Sequence, residues 1–166
     1  MDSVGKPHSG TNLYAYTENN PVNFVDPLGL ARATFDGSSI SLWSDSGVYI
    51  GTWSASSGRG GGINESWLGP IPPGLYYAEP GSTQTVSIFS PIWLFWGQES
   101  WGTQRLPLIP DPNTETYGRS HFFIHGGSRK QTAGCIQIPN EHSFFEAWEG
   151  TKEMLWLRVI YGRGTR

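Results

Sequence analysis

Ser120-His121-Phe122-Phe123-Ile124-His125-Gly126-Gly127 is followed, four residues later, by Thr132-Ala133-Gly134-Cys135-Ile136-Gln137-Ile138. Both pieces read as short strands. The first is apolar at its centre and stops at a glycine pair. The second is rich in β-formers and stops at Pro139. A strand ending in His, a polar loop of nine residues and a strand opening with Cys put both reactive side chains at one end of a sheet, provided the strands are neighbours.

Working outward, the same grammar recurs. Ser39 to Trp43 and Val48 to Trp53 alternate polar and apolar residues around the turn Ser44-Asp45-Ser46-Gly47, which predicts a hairpin. Gly74 to Tyr77, Thr85 to Phe89 and Thr103 to Leu108 are further strands. Met154 to Tyr161, with Leu155, Leu157, Val159 and Tyr161 on one face, is predicted to close the fold. Asn140 to Glu149 is the single helix, with Asn140 as N-cap, Phe144, Phe145 and Trp148 as its apolar face and Gly150 as its stop. The expected fold class is mostly β, a sandwich or barrel with one short helix.

Composition agrees. The chain has 166 residues, 22 Gly and 12 Pro, enough for one core and many turns. A net charge of -3 leaves no basic footprint for nucleic acid. No apolar run is long enough to span a bilayer, and the beginning of the chain does not read as a secretory signal. Membrane insertion is therefore not expected, and delivery outside a cytoplasm would need another vehicle. The single cysteine rules out a disulfide within the chain. The 8 Trp residues read mainly as core.

Chemistry concentrates in the first stretch. Cys135 needs a base within hydrogen-bond reach to act as a nucleophile, and His125 is the base on offer. Gly134 permits a sharp turn that frees the amides around Cys135 to face a developing oxyanion. Gly126 and Gly127 allow close approach of substrate, or present a backbone carbonyl to the second imidazole nitrogen. No cofactor and no metal are expected.

Ile124-His125-Gly126-Gly127 with Thr132-Ala133-Gly134-Cys135-Ile136-Gln137-Ile138 resembles the active-site motif of the L,D-transpeptidase (YkuD-like) superfamily, closest to its branch of type VI secretion effectors. Thr34-Phe35-Asp36-Gly37, Ser54 to Gly58, Ile71 to Tyr76 and Gly118-Arg119-Ser120 resemble other parts of those domains in the same order. The resemblance implies an L,D-transpeptidase-like fold acting on peptidoglycan stem peptides. It implies Cys135 as nucleophile on the carbonyl of the third stem residue, His125 as base and the Gly134/Cys135 amides as oxyanion hole. The terminal D-Ala would leave, and water or an amine would resolve the thioester. Arg119 is the expected partner of a substrate carboxylate, with Gly126, Gly127, Thr132 and Gln137 lining the substrate site. Two positions depart from the commoner pattern. Ala133 stands where a second His is usual, and Gln137 where Arg is usual.

Residues 1–30 differ from the rest. Asn12 to Leu30 contains Asn20-Pro21-Val22-Asn23-Phe24-Val25-Asp26-Pro27-Leu28-Gly29-Leu30 and resembles the segment that closes the core of Rhs/YD-repeat proteins. That resemblance implies self-cleavage after Leu30 with Asp26 taking part, an irregular Rhs-core remnant over 1–30 and a catalytic toxin domain over 31–166. It also implies enclosure in an Rhs shell, secretion by a type VI system into a target-cell periplasm, and a cognate immunity protein.

Three other readings remain open on sequence. A papain-like or NlpC/P60-type peptidase or amidase would place Cys before His, leaving His142 as base. A non-catalytic wall-binding module would use Trp43, Trp53, Trp67, Trp93, Trp96 and Trp101 as stacking platforms. A metal site would draw on His121, His125, Cys135 and His142, with His121 and His125 on one strand face.

Overall fold

A computed structural model describes residues 30–86, 101–128 and 132–162. Asp26 and the Rhs-like segment up to Gly29 lie outside the described residues, as do residues 87–89 of one expected strand, Trp93 and Trp96. Among the described residues, no helix is long and apolar enough to cross a membrane.

Among the described residues these elements follow in order: β1 (Leu30–Phe35), β2 (Ser39–Trp43), β3 (Tyr49–Ser54), β4 (Ser56–Ser57), β5 (Gly74–Ala78), β6 (Gln84–Thr85), β7 (Gln104–Pro110), β8 (Phe122–His125), β9 (Ile136–Gln137), α1 (Glu141–Glu149) and β10 (Met154–Val159). The predicted hairpin is β2–β3, paired from Ser39 with Ser54 to Trp43 with Tyr49. Asp36 makes the preceding turn by accepting the backbone N–H groups of Ser38 and Ser39 at 2.8 and 2.7 Å.

The strands hydrogen-bond in the order β3-β2-β1-β10-β5-β7-β8-β9-β4, with β6 on the side of β7. The two ends of that order, β3 and β4, are separated in the chain by Ala55 alone. The sheet therefore curls round until its edges meet, a barrel-like closure that leaves few unpaired edges. Ala55 itself is buried, and its N–H donates to Ser38 O at 2.9 Å.

One expectation changes. Met154 to Val159 does not close the sheet at an edge. It runs between β1, to which it is parallel, and β5, to which it is antiparallel. Alternation reports which face of a strand is buried and carries no information about its neighbours. Leu155, Leu157 and Val159 point into the core with Ala31, Ala33 and Phe35 of β1. Helix α1 covers the core with Phe144, Phe145 and Trp148, all essentially inaccessible. Each such side chain contributes about 1.5–3 kcal/mol of burial. The Asn140 side chain makes no capping hydrogen bond. The indole N–H of Trp53 donates to Ser143 Oγ at 2.7 Å, tying β3 to the helix.

Candidate active site

β8 and β9 are neighbours, and they pair in parallel: Ile124 lies opposite Ile136, and His125 opposite Gln137. Cys135, one residue before β9, is therefore offset diagonally from His125. The pair does not sit level at one end of the sheet, as a simple neighbour pairing would have it. Ile124 and Ile136 are buried in the core, so by strand alternation His125 and Cys135 share the opposite face. Both line a cleft of about 480 Å3. A smaller depression of about 300 Å3 between Pro80 and Lys152 holds no Cys or His.

His125 is 2% exposed. Its Nδ1 lies 2.6 Å from the carbonyl oxygen of Gly126. A carbonyl can only accept, so Nδ1 carries the hydrogen and Nε2 keeps its lone pair. Of the two uses foreseen for the glycine pair, the Gly126 carbonyl has this one. Trp101 lies over the imidazole at 4.7 Å between ring centroids and forms one wall of the cleft.

Cys135 is 6% exposed, at the cleft floor. Its Sγ lies 3.8 Å from the carbonyl oxygen of His121, and no hydrogen bond joins it to His125 in this state. Burial pushes the thiol up to about 11, opposed by the Phe123 backbone N–H and by the charges of Arg119 and Arg105. Burial also pushes the His125 imidazole down to about 4, opposed by the Gly126 carbonyl and by Glu141. Both groups rest neutral at pH 7. An ion pair standing ready before substrate binds is disfavoured because a site this enclosed penalises each charge.

The turn before Cys135 is held from two directions. Thr132 Oγ1 donates to Cys135 O at 2.6 Å and accepts the N–H of Gly58 at 3.0 Å. Gly134 has φ +95, and a Cβ there would overlap the Arg119 guanidinium. Arg119 is 8% exposed. Its guanidinium donates to the carbonyls of Ile63, Pro70 and Gly69, the last two at 2.7 and 2.9 Å. Tyr161 donates to Ile71 O and Tyr76 to Pro72 O, fastening the end of the same loop. That Gly-rich loop forms the opposite cleft wall and presents Arg59, Ser66 and Trp67, the last 71% exposed with φ 71.

Residues 52–158 match the Tlde1 domain, well over half of the chain. The chain belongs to the Tlde1 domain family. Tlde1 domains are antibacterial effectors of type VI secretion. No curated protein matches the sequence. Among solved structures, a mutant of the helical cell shape determining protein Pgp2 from Campylobacter jejuni is 15% identical with a TM-score of 0.57, covering 88% of this chain and 53% of that one. Bd1075 from Bdellovibrio bacteriovorus is 14% identical with a TM-score of 0.51, covering 81% and 49%. L,D-transpeptidase 1 from Mycobacterium tuberculosis is 15% identical with a TM-score of 0.42, covering 81% and 62%, too low a score to carry an argument. The chain thus spans about half the length of the first two structures. The fold class expected from sequence, mostly β and barrel-like with one helix among the described residues, is the one this Tlde1 domain has.

Within the Tlde1 domain, several residues work differently from the sequence expectation. Arg119 lines the cleft, but three of its five N–H groups are engaged by backbone carbonyls, so it acts first as a clamp on the loop. Gln137 is fully buried and donates through Nε2 to Gly127 O. It supports the glycine pair from behind and does not line the cleft. Thr132 lines the cleft while holding the Cys135 turn. His121 is not in the strand at all: it precedes β8 with φ 61, and its Nδ1 pairs with Ser120 Oγ at 2.8 Å. His142 sits on α1 with Nε2 3.2 Å from Thr103 Oγ1, away from the cleft. That placement argues against a peptidase with His142 as base. Among the described residues, no group of three His, Cys, Asp or Glu side chains is arranged to hold a metal ion.

Two residues of the site carry no sequence signal that singles them out. Arg59 sits in a Gly/Ser-rich loop and reads as surface. Glu141 opens a helix, where an acid is favoured by the helix dipole whatever else it does. It is nevertheless 7% exposed and lies under Gly126.

The packing of Gly134 on Arg119 has a measurable consequence. Gly134→Ala is expected to destabilise by about 3 kcal/mol or more, from backbone strain plus displacement of a buried guanidinium. Gly60 has nearly the same φ, +96, with nothing near a new Cβ, so Gly60→Ala carries the strain alone, about 1–2 kcal/mol. Urea unfolding of both variants checks this, and equal losses would refute the Arg119 contact as the cause.

His125 also makes stability pH-dependent. Its folded value of about 4 lies below its ordinary 6.5. Between those values the unfolded chain binds a proton that the folded chain refuses. The contribution is therefore complete above pH 6.5 and is lost as pH falls through 4, by up to about 3 kcal/mol. Comparing urea unfolding at pH 7 and pH 4 for wild type and His125→Gln tests it. A variant with the same acid loss would show that the protons go elsewhere.

Proposed function

We propose that this Tlde1 domain is a cysteine acyl-transfer enzyme that removes or exchanges the terminal D-Ala of murein tetrapeptide stems. The observation that carries the reading is one cleft lined by a cysteine thiol and an imidazole whose tautomer is set by the Gly126 carbonyl. Nε2 accepts the thiol proton as Sγ attacks the carbonyl of the third stem residue. A proton transfer concurrent with attack suits two groups that are both neutral at rest. The oxyanion faces the amide of Cys135 at the Gly134 turn. Collapse breaks the amide bond, and His125 returns its proton to the departing amine of D-Ala. Water or an incoming amine then attacks the thioester and frees Cys135. Arg59 and Trp67, both exposed and lining the cleft, are the side chains that would pair with a stem carboxylate and stack on a sugar ring.

The Rhs-like segment extends the proposal. Cleavage after Leu30, aided by Asp26, would release residues 31–166 inside an Rhs shell for delivery to a target-cell periplasm, and a cognate immunity protein would protect the producer. Digestion of purified tetrapeptide muropeptides followed by mass spectrometry tests the activity. Loss of one D-Ala marks L,D-carboxypeptidase action, and an added D-amino acid marks exchange. Intact stems alongside cleaved glycan would overturn the reading.

A further inference from the structure

Beneath the glycine pair lies a carboxylate that the mechanism above does not use. Glu141 opens α1 and is almost wholly buried. Its Oε1 accepts from the backbone N–H of Thr103 at 3.1 Å and from Thr103 Oγ1 at 3.4 Å. A Cβ on either Gly102 or Gly126 would overlap this carboxylate. The backbone on both sides of His125 is thus moulded onto Glu141: Gly126 supplies the carbonyl that holds Nδ1, and Gly102 follows the Trp101 ring that covers the imidazole.

We propose that Glu141 is a positioning residue for His125, its buried charge stabilising the imidazolium formed when Cys135 gives up its proton. The proposal rests on the reading of His125 as the base. Around His125 the charged and titratable groups are Arg105, opposite it in β7, then Arg119, Arg59, His121 and Cys135 about the cleft, and Glu141. Among these described residues Glu141 is the one carboxylate, and its charge favours the protonated imidazole. Arg105 and Arg119 favour the thiolate instead. The transient thiolate–imidazolium pair therefore has opposite charges on its two flanks, which lowers its cost in an enclosed site. A purely structural role does not need the charge. A neutral amide would accept the same hydrogen bonds from Thr103, whereas burying a carboxylate is expensive.

Glu141→Gln keeps shape and acceptor while removing charge. Two readouts are taken: the His125 titration midpoint by NMR, and turnover of a synthetic murein tetrapeptide across pH. In E141Q the midpoint is expected to fall by ~1 unit. Turnover at pH 7 is expected to fall by about 10-fold with little change in KM, because the lost charge acts on the transferring proton. A folded E141Q with unchanged midpoint and turnover overturns the proposal. Should E141Q lack a cooperative thermal transition, Glu141→Asp, which draws the charge back, is measured instead. A smaller fall of the midpoint then supports the proposal, and an unchanged one overturns it. His125→Ala separates the two ideas. If it turns over tetrapeptide as fast as wild type, the base assignment has failed, whereas an inactive His125→Ala beside an unaltered E141Q condemns only Glu141.

Discussion

Cys135→Ala leaves murein tetrapeptide stems intact, with turnover reduced by at least about 10^4-fold relative to wild type. The expectation follows from the covalent route proposed. Without sulfur no thioester forms, and neither the imidazole nor the oxyanion-facing amide has a nucleophile to serve. The fold should survive the change. Cys135 contributes one small, polarisable side chain at the floor of the cleft, and its Sγ makes weak contacts, one to His121 O at 3.8 Å and one with the Phe123 backbone N–H. Loss of that atom costs about 1 kcal/mol. Circular dichroism and a thermal melt of the variant therefore resemble wild type, while mass spectrometry of the stems does not. A further check lies in the wild-type pH profile. Because His125 is neutral above about 4, its competence as a base rises through that pH, and the acid limb sits well below the ordinary imidazole value of 6.5. A Cys135→Ala protein that still trims stems would refute the covalent mechanism, and the search would move to the wall-binding alternative.

Arg119→Met is expected to remove much of the domain's stability. It removes the donors to the carbonyls of Ile63, Gly69 and Pro70 and leaves those acceptors without a charged partner. It also releases the turn at Gly134, whose backbone rests against the guanidinium. Hydrogen bonds to charged groups contribute roughly 1.5–3 kcal/mol each, and the terms are not additive. A net loss of about 3–5 kcal/mol corresponds to a fall in Tm of about 10–20 °C for a domain of this size. Lysine cannot substitute, because a point charge on a flexible stem does not span three carbonyls in a plane. Differential scanning calorimetry of Arg119→Met and Arg119→Lys measures both. Wild-type melting in either would mean the loop is held by Tyr76, Tyr161 and its own backbone instead.

Much of this architecture is legible locally. The β2–β3 hairpin announces itself by alternation on either side of Ser44-Asp45-Ser46-Gly47, and Phe144, Phe145 and Trp148 mark the buried face of α1. Cys135 and His125 stand out because the glycines beside each are part of the same short stretch. Other features are not legible, for identifiable reasons. Asn140 has the residue type of an N-cap but forms no side-chain capping bond. Arg119 reads as a carboxylate binder because its partners are backbone carbonyls 49 to 56 positions earlier, which no motif reveals. Gln137 reads as lining the substrate site because its position in the motif usually carries Arg, whereas its amide is turned onto Gly127.

The order of amino acids alone was enough to indicate a mostly β fold and to mark a thiol and an imidazole as the candidate reactive pair. Those are consequences of periodicity, turn chemistry and near neighbours, all written within a dozen residues. Only the folded chain could decide that β10 runs through the middle of the sheet, that the two edge strands meet across Ala55, and that His125 and Cys135 are offset on one face and both uncharged. Strand neighbours and buried charge depend on contacts between distant segments, and the energy of a charge depends on how much water those contacts exclude.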